Sequence, residues 1–346
     1  MERKIKIVQR VLKDHEMLLL DNPQEVFDLA GFKTSFNLGE YDASMLLGRK
    51  KVFIVCDQLL YPYIEKISGV NVVKGDSFEY LKNNKLFVTE WKKILKENKI
   101  TKLGLVNMSL EGAFREFNTF HFLSPSRTLG KIKEGKEILE IKSLAKTMKR
   151  IFTSAEKFLV KDMTDINLRN MIDEEIYSLG CDRRYLPTYV GFDAKSIYPT
   201  LSADTLKNGS LVLIDAGIMK KGIGLSYSST LKFGAPSKEK EKLYRTAKDG
   251  LEVILSKINK SSSPLNADMA YREFLSRHKF LNNSLEYAVS FIESAQGGEV
   301  NSVTDSSGFA EGQIVKATSS IFIPGISGVR IEGIVLVKGK SHEKIL

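Results

Sequence analysis

The strongest constraint on the fold of this sequence is an apolar run that ends on one acidic residue. Residues 211–214 are Leu-Val-Leu-Ile, preceded by Ser210 and followed by Asp215-Ala-Gly. Four consecutive apolar residues predict a buried strand. An acid at the end of such a strand must be paired, hydrated or metal-bound, because burial of an isolated charge is costly. An aspartate here commonly only caps a turn, but a Lys-Lys-Gly-Ile-Gly turn and a returning strand over 225–233 follow.

The composition is that of a soluble globular protein. The chain has 346 residues, of which 42% are hydrophobic and 27% charged, and this length is ample for two domains. Cys56 and Cys181 are its two cysteines. Two cysteines are too few for a disulfide framework, so we expect a cytoplasmic protein. The first residues begin an amphipathic pattern rather than a signal peptide, and no apolar run approaches the roughly 18 residues of a membrane span.

The formal charge of +10 raises the question of a nucleic-acid partner. The lysines are spread along the chain and interleaved with acids, as in Ser-Lys-Glu-Lys-Glu-Lys at 237–242. No RNA-recognition motif, zinc finger or long basic arm is present in the sequence. We therefore favour a solvated basic surface, and nucleic-acid binding is a third hypothesis that rests on charge alone.

The front of the chain alternates between short helix and strand patterns, which predicts a mixed α/β sheet of about 120 residues. Helices are predicted over 4–14, 24–29 and 90–98. Strands are predicted over 17–20, 44–47, 51–55, 70–74, 86–89 and 103–107. The turn-rich stretch 122–130 then predicts a domain connection, so that the domains are 1–125 and 131–346.

The second half combines long helices with strands, which predicts an α+β domain of helices packed on one antiparallel sheet. Apolar residues recur at helical spacing from Ile138 to Phe152, and Thr164 is a candidate cap for a helix over 165–179. Two more helices are expected, one after Ser237 and one over 267–278. The remaining strands are predicted over 313–317, 320–323, 329–331 and 334–338.

Three separated segments resemble the pita-bread metallopeptidases, the family of prolidase, aminopeptidase P and methionine aminopeptidase. They are Lys136-Glu-Ile-Leu-Glu-Ile-Lys-Ser-Leu-Ala, Asn208-Gly-Ser-Leu-Val-Leu-Ile-Asp-Ala-Gly and Ile321-Phe-Ile-Pro-Gly-Ile-Ser-Gly-Val-Arg-Ile-Glu. They are similar, in that order, to the family's first long helix, its first metal-ligand strand and its closing hairpin. The front half, with Asn22-Pro and Ala30-Gly-Phe, resembles the non-catalytic domain of prolidase and aminopeptidase P.

This resemblance implies the fold class in detail. We expect an N-terminal mixed α/β domain of the creatinase/prolidase type. A C-terminal pita-bread domain, with helices on a curved antiparallel sheet, should follow it. The resemblance also suggests a homodimer.

The resemblance further implies a metal site that this sequence has largely lost. Family members bind two divalent ions, such as Mn, Co or Zn, through two Asp, one His and two Glu. Asp215 and Glu332 stand at the first Asp and the last Glu, as relic ligand positions. Ser226 replaces the second Asp and Thr318 replaces the other Glu. Such hydroxyls stay protonated and are poor substitutes for carboxylates.

The family's histidine region is most similar to residues 293–301. This match puts Ser294 at the ligand His and Asn301 at the second His, and the substrate-binding His falls near Pro199. The chain's own histidines fall in no ligand motif; they are His15, His121, His278 and His342. With three of five ligands lost, we expect no catalytic residue and no metal cofactor.

Two basic residues are candidates to replace the charge of the ions. Side chains on a strand repeat every second residue, so Lys316 should share a face with Thr318, about 7 Å away. Arg330 stands in the same relation to Glu332. The alternative is that Lys316 extends to solvent, as many lysines do. If Lys316 replaces the metal charge, Lys316→Ala should lower stability near neutral pH, and less so in acid.

The leading hypothesis is a prolidase-like pseudoenzyme that holds a peptide or a protein partner in its cleft. Related folds that bind without catalysis include a histone-chaperone domain and a ribosome-associated protein. The predicted cleft residues are Asp215, Ser226, Ser294, Asn301, Lys316, Thr318, Arg330 and Glu332. The alternative is an enzyme: a weak or atypical Xaa-Pro exopeptidase, or a metal-free hydrolase of the creatinase type. The histidine missing near Pro199 argues against the creatinase type.

Overall fold

In the computed structural model the chain forms two compact units, Met1–Gly130 and Lys131–Leu346. The predicted boundaries, 1–125 and 131–346, remain a prediction about independently folding domains. The structure describes residues 2–30, 42–58, 60–76, 87–123, 125, 133, 135–197, 203–284, 286–292, 299–301 and 308–346.

The first unit is a six-stranded mixed sheet with helices. Its strands are β1 (Glu16–Leu20), β2 (Ala43–Gly48), β3 (Val52–Cys56), β4 (Asn71–Lys74), β5 (Lys102–Leu105) and β6 (Asn118–His121). Its helices are α1 (Glu2–Val11), α2 (Pro23–Ala30), α3 (Tyr61–Ile64) and α4 (Val88–Glu97), with a 3-10 turn at Met108–Phe114. The strand order is β4-β3-β2-β1-β5-β6, and β1 pairs antiparallel with β2 and parallel with β5.

Alternation along β1 explains why this sheet is covered on both faces. Leu18 and Leu20 belong to one core cluster, which includes apolar residues of α1 and α2. Met17 and Leu19 belong to another, which includes Trp91 of α4. Successive side chains of a strand point to opposite faces, so a run of apolar residues is buried against helices on both sides.

The sequence prediction was wrong at residues 86–89, where a strand was expected. Val88 begins α4, while residue 86 lies outside the described residues. Trp91, Ile94 and Leu95 are the buried residues of this helix. Their spacing of three and four residues puts them on one apolar stripe of a helix. This periodicity, and not the short apolar run before it, decides the structure of the segment. The strand β6 and the helix α3 were not predicted.

The second unit holds the long helices and the antiparallel strands. Its helices are α5 (Gly135–Phe158), α6 (Asp165–Ser178), α7 (Lys238–Ser256) and α8 (Pro264–Arg277), with 3-10 turns at Asp193–Ile197 and Leu281–Asn283. Its strands are β7 (Arg183–Arg184), β8 (Tyr189–Phe192), β9 (Ser210–Lys220), β10 (Ile223–Phe233), β11 (Val289–Ile292), β12 (Glu299–Asn301), β13 (Ile314–Ile323), β14 (Ser327–Lys338) and β15 (Ser341–Lys344).

Hydroxyl side chains cap the N-termini of three of these helices. The first backbone N–H groups of a helix have no acceptor within the helix, and a capping oxygen supplies one. Thr164 accepts a hydrogen bond from the N–H of Asn167 at the start of α6, as predicted. Ser237 and Ser263 cap α7 and α8 in the same way. None of the helices in the described part of the chain combines the length and hydropathy that a bilayer span requires.

The strands form two hydrogen-bonded antiparallel sheets rather than a single one. One has the order β10-β9-β7 with β8 also paired to β9, and the other has the order β12-β11-β13-β14-β15. A side chain connects them: Thr230 of β10 donates to the carbonyl of Arg330 on β14 at 3.1 Å and accepts from its N–H at 3.0 Å. This connection sets the two long hairpins side by side.

The strand β13 is longer than predicted because its polar residues have partners inside the protein. Ser319 lies between the two predicted strands 313–317 and 320–323, and Ser320 is the first residue of the second of them. Both are fully buried, and the Tyr271 hydroxyl accepts from the hydroxyl of Ser319 and from the N–H of Ser320. Buried polar groups with such partners carry no desolvation penalty that would break a strand.

Candidate functional site

Two antiparallel hairpins position the predicted cleft residues. In the β9–β10 hairpin, Asp215 lies opposite Ser228, two residues beyond Ser226. In the β13–β14 hairpin, Thr318 lies directly opposite Glu332. Because side chains on one face repeat every second residue, each hairpin presents several polar groups to the same side.

These polar groups line one cavity of about 400 Å³. Six of the eight predicted cleft residues are in its wall, together with four that were not predicted. The six are Asp215, Ser226, Lys316, Thr318, Arg330 and Glu332, and the four are Leu186, Glu286, Tyr287 and Ser290. A second cavity, of about 600 Å³, shares three of these residues, namely Asp215, Glu286 and Arg330.

Lys316 is buried in the wall of the first cavity, at 6% exposure. Its Nζ donates to Ser226 Oγ at 2.9 Å and lies 3.5 Å from Glu332 Oε1. The other Glu332 oxygen, Oε2, accepts from the N–H of Ser228 at 2.7 Å, and Thr318 Oγ1 lies 3.4 Å from Oε1. A buried ion pair is tolerated when hydrogen bonds satisfy its remaining atoms in this way.

Arg330 forms a second ionic cluster, between two carboxylates. Its NH1 lies 3.0 Å from Asp215 Oδ2, and its Nε donates to Glu286 Oε2 at 3.0 Å while its NH2 pairs with Glu286 Oε1. The Phe322 ring lies beneath it, with its centroid 5.9 Å from Cζ. Burial alone would lower the pKa of Arg330, but Glu286, Asp215 and Glu332 raise it above its ordinary value.

Two tyrosines near the cavities are held in the neutral state. Burial, and then the charge of Glu332, raise the pKa of Tyr227 to about 12. Burial, and then the charge of Asp165, raise the pKa of Tyr189 to about 12. Tyr227 is also packed edge-on against Phe152, with ring centroids 4.9 Å apart. Neither phenol is available as a base near neutral pH.

The structure leaves part of the predicted histidine region undescribed. Ser294 and Pro199 lie outside the described residues. Asn301 is in β12, where its backbone pairs with Ser290. Ser290, on the preceding strand β11, lines the cavity and lies opposite Lys316 in the β11–β13 register. No histidine is among the described residues that line the two cavities.

Sequence reasoning missed Glu286 and Ser290. Glu286 precedes the strand β11 by three residues, and an acid next to an apolar run is the pattern that singled out Asp215. That similarity was the available signal. It could not be used without the pairing of β11 with β13, since this pairing alone brings the segment to the two hairpins.

The comparisons with known proteins agree with this geometry. The model of metallopeptidase family M24 matches residues 140–339, which is more than half of the chain. The chain belongs to metallopeptidase family M24. The predicted pita-bread family and the predicted fold class are therefore confirmed.

Two relatives by sequence are one quarter identical to this chain over the matched segment. An uncharacterised peptidase of Staphylococcus saprophyticus is 25% identical over 224 residues, and one of Staphylococcus aureus strain USA300 is 25% identical over 222 residues. In both cases the match covers 63% of this chain and 63% of the relative. The chain thus spans less than two thirds of the length of these relatives.

Solved structures match nearly the whole chain. The Xaa-Pro dipeptidase from Bacillus anthracis has a TM-score of 0.86 at 20% identity, covering 99% of this chain and 97% of that one. The prolidase from Pyrococcus furiosus has a TM-score of 0.79 at 16% identity, covering 99% and 98%. At this level of identity the likeness establishes the fold alone.

The residues present do not fit the pair of divalent ions that the resemblance to metallopeptidases implies. The two carboxylates at ligand positions each face a cation, Glu332 at 3.5 Å from Lys316 and Asp215 at 3.0 Å from Arg330. Such cations repel a metal ion and occupy the oxygens that would bind it. Across the described ranges, no three His, Cys, Asp or Glu side chains are grouped so that they could hold one ion.

Proposed function

We propose that this M24-family chain binds peptides in its cavity without hydrolysing them. The observation that carries the proposal is the buried Lys316 ammonium, 3.5 Å from Glu332 and 2.9 Å from Ser226. A fixed cation therefore stands between two of the positions where the family places metal ligands. Peptide hydrolysis in this family depends on metal-bound water, so a lysine in this place supports binding rather than catalysis.

The other groups of the cavity do not supply a metal-free mechanism. Ser226 accepts a hydrogen bond from the Lys316 ammonium, whereas a serine nucleophile needs a base that takes its proton. Cys181 belongs to the hydrophobic core and not to the lining of either cavity, and burial raises the pKa of its thiol. Asp215 is held by Arg330 and Glu332 by Lys316. These pairings favour binding over hydrolysis by a side chain of the cavity.

The shape and lining of the cavities support a peptide as the ligand. The first cavity has a polar interior, while Leu186 and Tyr287 at its wall are 41% and 48% exposed. Polar groups in fixed positions orient a small ligand, and the exposed apolar residues beside them offer it contact area. The solved structures with this fold include an Xaa-Pro dipeptidase and a prolidase, so short peptides containing proline are the natural first probes.

The test measures metal binding and turnover on the same preparation. The purified chain is dialysed against manganese, cobalt or zinc, its bound metal is determined by plasma mass spectrometry, and a panel of Xaa-Pro dipeptides is assayed for hydrolysis and, by calorimetry, for binding. We expect no stoichiometric metal, no turnover, and saturable binding of at least one peptide. Asp215→Asn is the control for any residual activity.

A triple variant sharpens this test. Lys316→Ala with Ser226→Asp and Thr318→Glu removes the cation and restores two carboxylates at family ligand positions, so it should bind divalent ions that the wild type does not. Stoichiometric metal in the wild type, with turnover abolished by Asp215→Asn, would show that the chain is a peptidase, the alternative derived from its sequence.

A further inference from the structure

We infer that the first unit has a DNA-binding surface at one end of its sheet, where basic side chains from distant parts of the chain meet. Its partner is the phosphate backbone of duplex DNA. The sequence suggested nucleic-acid binding from net charge alone, whereas the fold gives that binding a place. The surface belongs to the first unit, so the inference does not depend on peptide binding in the second.

This basic end is the one at which β2 ends and the other strands of the sheet begin. Met17 in β1 pairs with Gly48 at the end of β2, and Lys102 at the start of β5 pairs with Asn118 at the start of β6. The chain segments at this end are 10–16, 49–51, 65–71, 96–102 and 115–118. They contain ten lysines and arginines against five acids, which gives a net charge of +5.

The opposite end of the same sheet has the reverse charge. Its described segments are 21–25, Asp42, 57–58, 74–76 and 88–90, which contain six acids and one base and have a net charge of −5. Basic and acidic segments alternate along the sequence, so no basic block is visible there. The fold separates the two signs, and a surface of one sign attracts and orients a partner of the other.

Hydrogen bonds hold the parts of the basic end together. The N–H of Gly48 donates to the carbonyl of Lys51 at 2.9 Å and closes the tip of the β2–β3 hairpin. The side chain of Gln9 on α1 donates to the carbonyl of Gly48 at 3.0 Å. Lys51 Nζ donates to Asn98 Oδ1, beyond the end of α4, at 2.9 Å. A surface fixed in this way loses less freedom on binding than one that the partner must order.

The acids of the basic end do not cancel its charge. Three ion pairs are formed within it, namely Lys50 with Asp14 at 3.3 Å, Lys96 with Glu116 at 3.5 Å and Lys102 with Glu16 at 4.0 Å. The first is exposed on both sides, with Lys50 at 79% and Asp14 at 63%. Exposed ion pairs contribute little free energy, so a phosphate can take the place of such a carboxylate.

The side chains at this end favour duplex DNA over a single strand. Single-strand binding relies on aromatic side chains on which bases stack. Phe117 is the Phe, Tyr or Trp residue of these segments, and it packs against Phe114 with ring centroids 6.3 Å apart. The hairpin tip has a cation at each of residues 49–51. The major groove of DNA, about 12 Å wide, admits a two-stranded ribbon, whereas the major groove of duplex RNA is too narrow.

The helix beside the tip argues against a membrane as the partner. A helix that lies on a bilayer inserts its apolar face. The apolar face of α1 is already packed in the core through Ile5, Val8 and Leu12. Val11 is an exposed apolar residue of this helix, at 65% exposure, next to the exposed Arg10. The surface therefore offers charge rather than apolar area.

The test measures binding of the full chain to a fluorescein-labelled DNA duplex of about 20 base pairs by fluorescence anisotropy. Contact with about five phosphates should give a slope of about −4.5 for the logarithm of the association constant against the logarithm of salt concentration. Arg10→Gln with Lys13→Gln and Arg49→Gln removes three cations that take no part in the ion pairs above. This triple variant should bind at least about tenfold more weakly, with a slope smaller in magnitude by about 2.7.

A second triple variant is the matched control. Lys146→Gln with Lys149→Gln and Arg150→Gln removes the same charge from exposed positions of α5, in the second unit, and should bind DNA as tightly as the wild type. An equal loss in both triple variants shows that binding follows net charge and overturns the inference. Thermal melts monitored by circular dichroism establish that each variant is folded.

Asp14→Asn tests the same surface by adding charge rather than removing it. This substitution frees Lys50 from its carboxylate, so DNA should bind about threefold more tightly, with a steeper dependence on salt. An unchanged affinity contradicts a contact of this end with phosphates. The variant alters an exposed ion pair, so its fold does not depend on the outcome for the triple variant.

Titrations with duplex RNA and single-stranded DNA of the same length, and cosedimentation with vesicles of phosphatidylserine and phosphatidylcholine, identify the partner. Duplex DNA should bind most tightly. Equal or tighter binding of duplex RNA or of the single strand overturns the inference, as does vesicle binding without DNA binding. Failure to bind duplex DNA at about 50 mM salt overturns it too, and none of these results bears on peptide binding.

Discussion

The Lys316 and Arg330 clusters both place a cation against acids, but in different surroundings. The side chains of Lys316 and Glu332 are 7% and 6% exposed. Those of Arg330, Asp215 and Glu286 are 23%, 30% and 29% exposed. The difference in water access indicates that the Lys316 pair is shielded from solvent, while water reaches the Arg330 cluster.

The physical reason is the cost of separating charges. Inside a protein the attraction between opposite charges is much stronger than in water, and a buried ion left alone cannot be solvated. Separating Lys316 from Glu332 is therefore costly. Water reaches both Arg330 and Glu286, so separating them costs less.

The largest effect is expected for Lys316→Met, which leaves Glu332 buried and without its cation. Breaking such a pair from one side costs about 3–5 kcal/mol. Chemical denaturation at neutral pH should therefore show a free energy of unfolding lower by this amount. Lys142→Met is the control, because Lys142 pairs with Glu343 at the surface, and its loss should be far smaller.

A second substitution tests the reason for that loss. In Lys316→Met with Glu332→Gln the unpaired charge is gone, so much of the lost free energy of unfolding should return. If the double variant is less stable than Lys316→Met, the contribution of Lys316 is packing rather than charge, and the assignment of a fixed ion pair fails.

An intermediate effect is expected at high pH, on the Lys316 side of the cavity. Burial and the charge of Glu332 raise the pKa of Tyr227 to about 12, against about 10 for an unfolded tyrosine. The folded state therefore holds this proton more tightly. Its contribution to stability is complete below pH 10 and is lost as the pH rises through about 12.

Tyr227→Phe should remove this part of the alkaline destabilisation. Between pH 10 and pH 12 the variant should lose roughly 2 kcal/mol less stability than the wild type. Urea unfolding curves, followed by far-ultraviolet circular dichroism at each pH, measure the difference in the free energy of unfolding. Tyr177→Phe, at a tyrosine 51% exposed, is the control, and an identical pH profile for all three proteins would contradict the expectation.

The sequence was sufficient where a local pattern decides the structure. Helical periodicity located α5, and Thr164 marked the start of α6. The alternation of side chains along a strand was enough to put Lys316 and Thr318 on one face, and the wall of the cavity contains both. In each case the rule acts over a few residues, so no knowledge of the rest of the chain was needed.

The sequence was insufficient where strand pairing between distant segments decides. Glu286 reaches Arg330 across 44 positions of the chain, and Ser290 enters the cavity because β11 pairs with β13. The polar residue Ser319 appeared to separate two strands because the hydroxyl of Tyr271, 48 positions away, could not be foreseen. These contacts depend on register, which single-sequence patterns leave open.

The smallest effect is expected for Arg330→Met, and its dependence on salt distinguishes the two clusters. Asp215 and Glu286 are left without their cation, but both are about 30% exposed, so water screens their repulsion and the free energy of unfolding should fall by about 1 kcal/mol.

Raising sodium chloride to about 1 M shortens the Debye length to about 3 Å. It weakens the ionic attraction in the wild type and the repulsion in the variant, so the difference between them should shrink. The deficit of Lys316→Met should change little under the same conditions, because ions cannot approach a pair 6–7% exposed. Equal salt sensitivity of the two variants would show that the clusters do not differ as described.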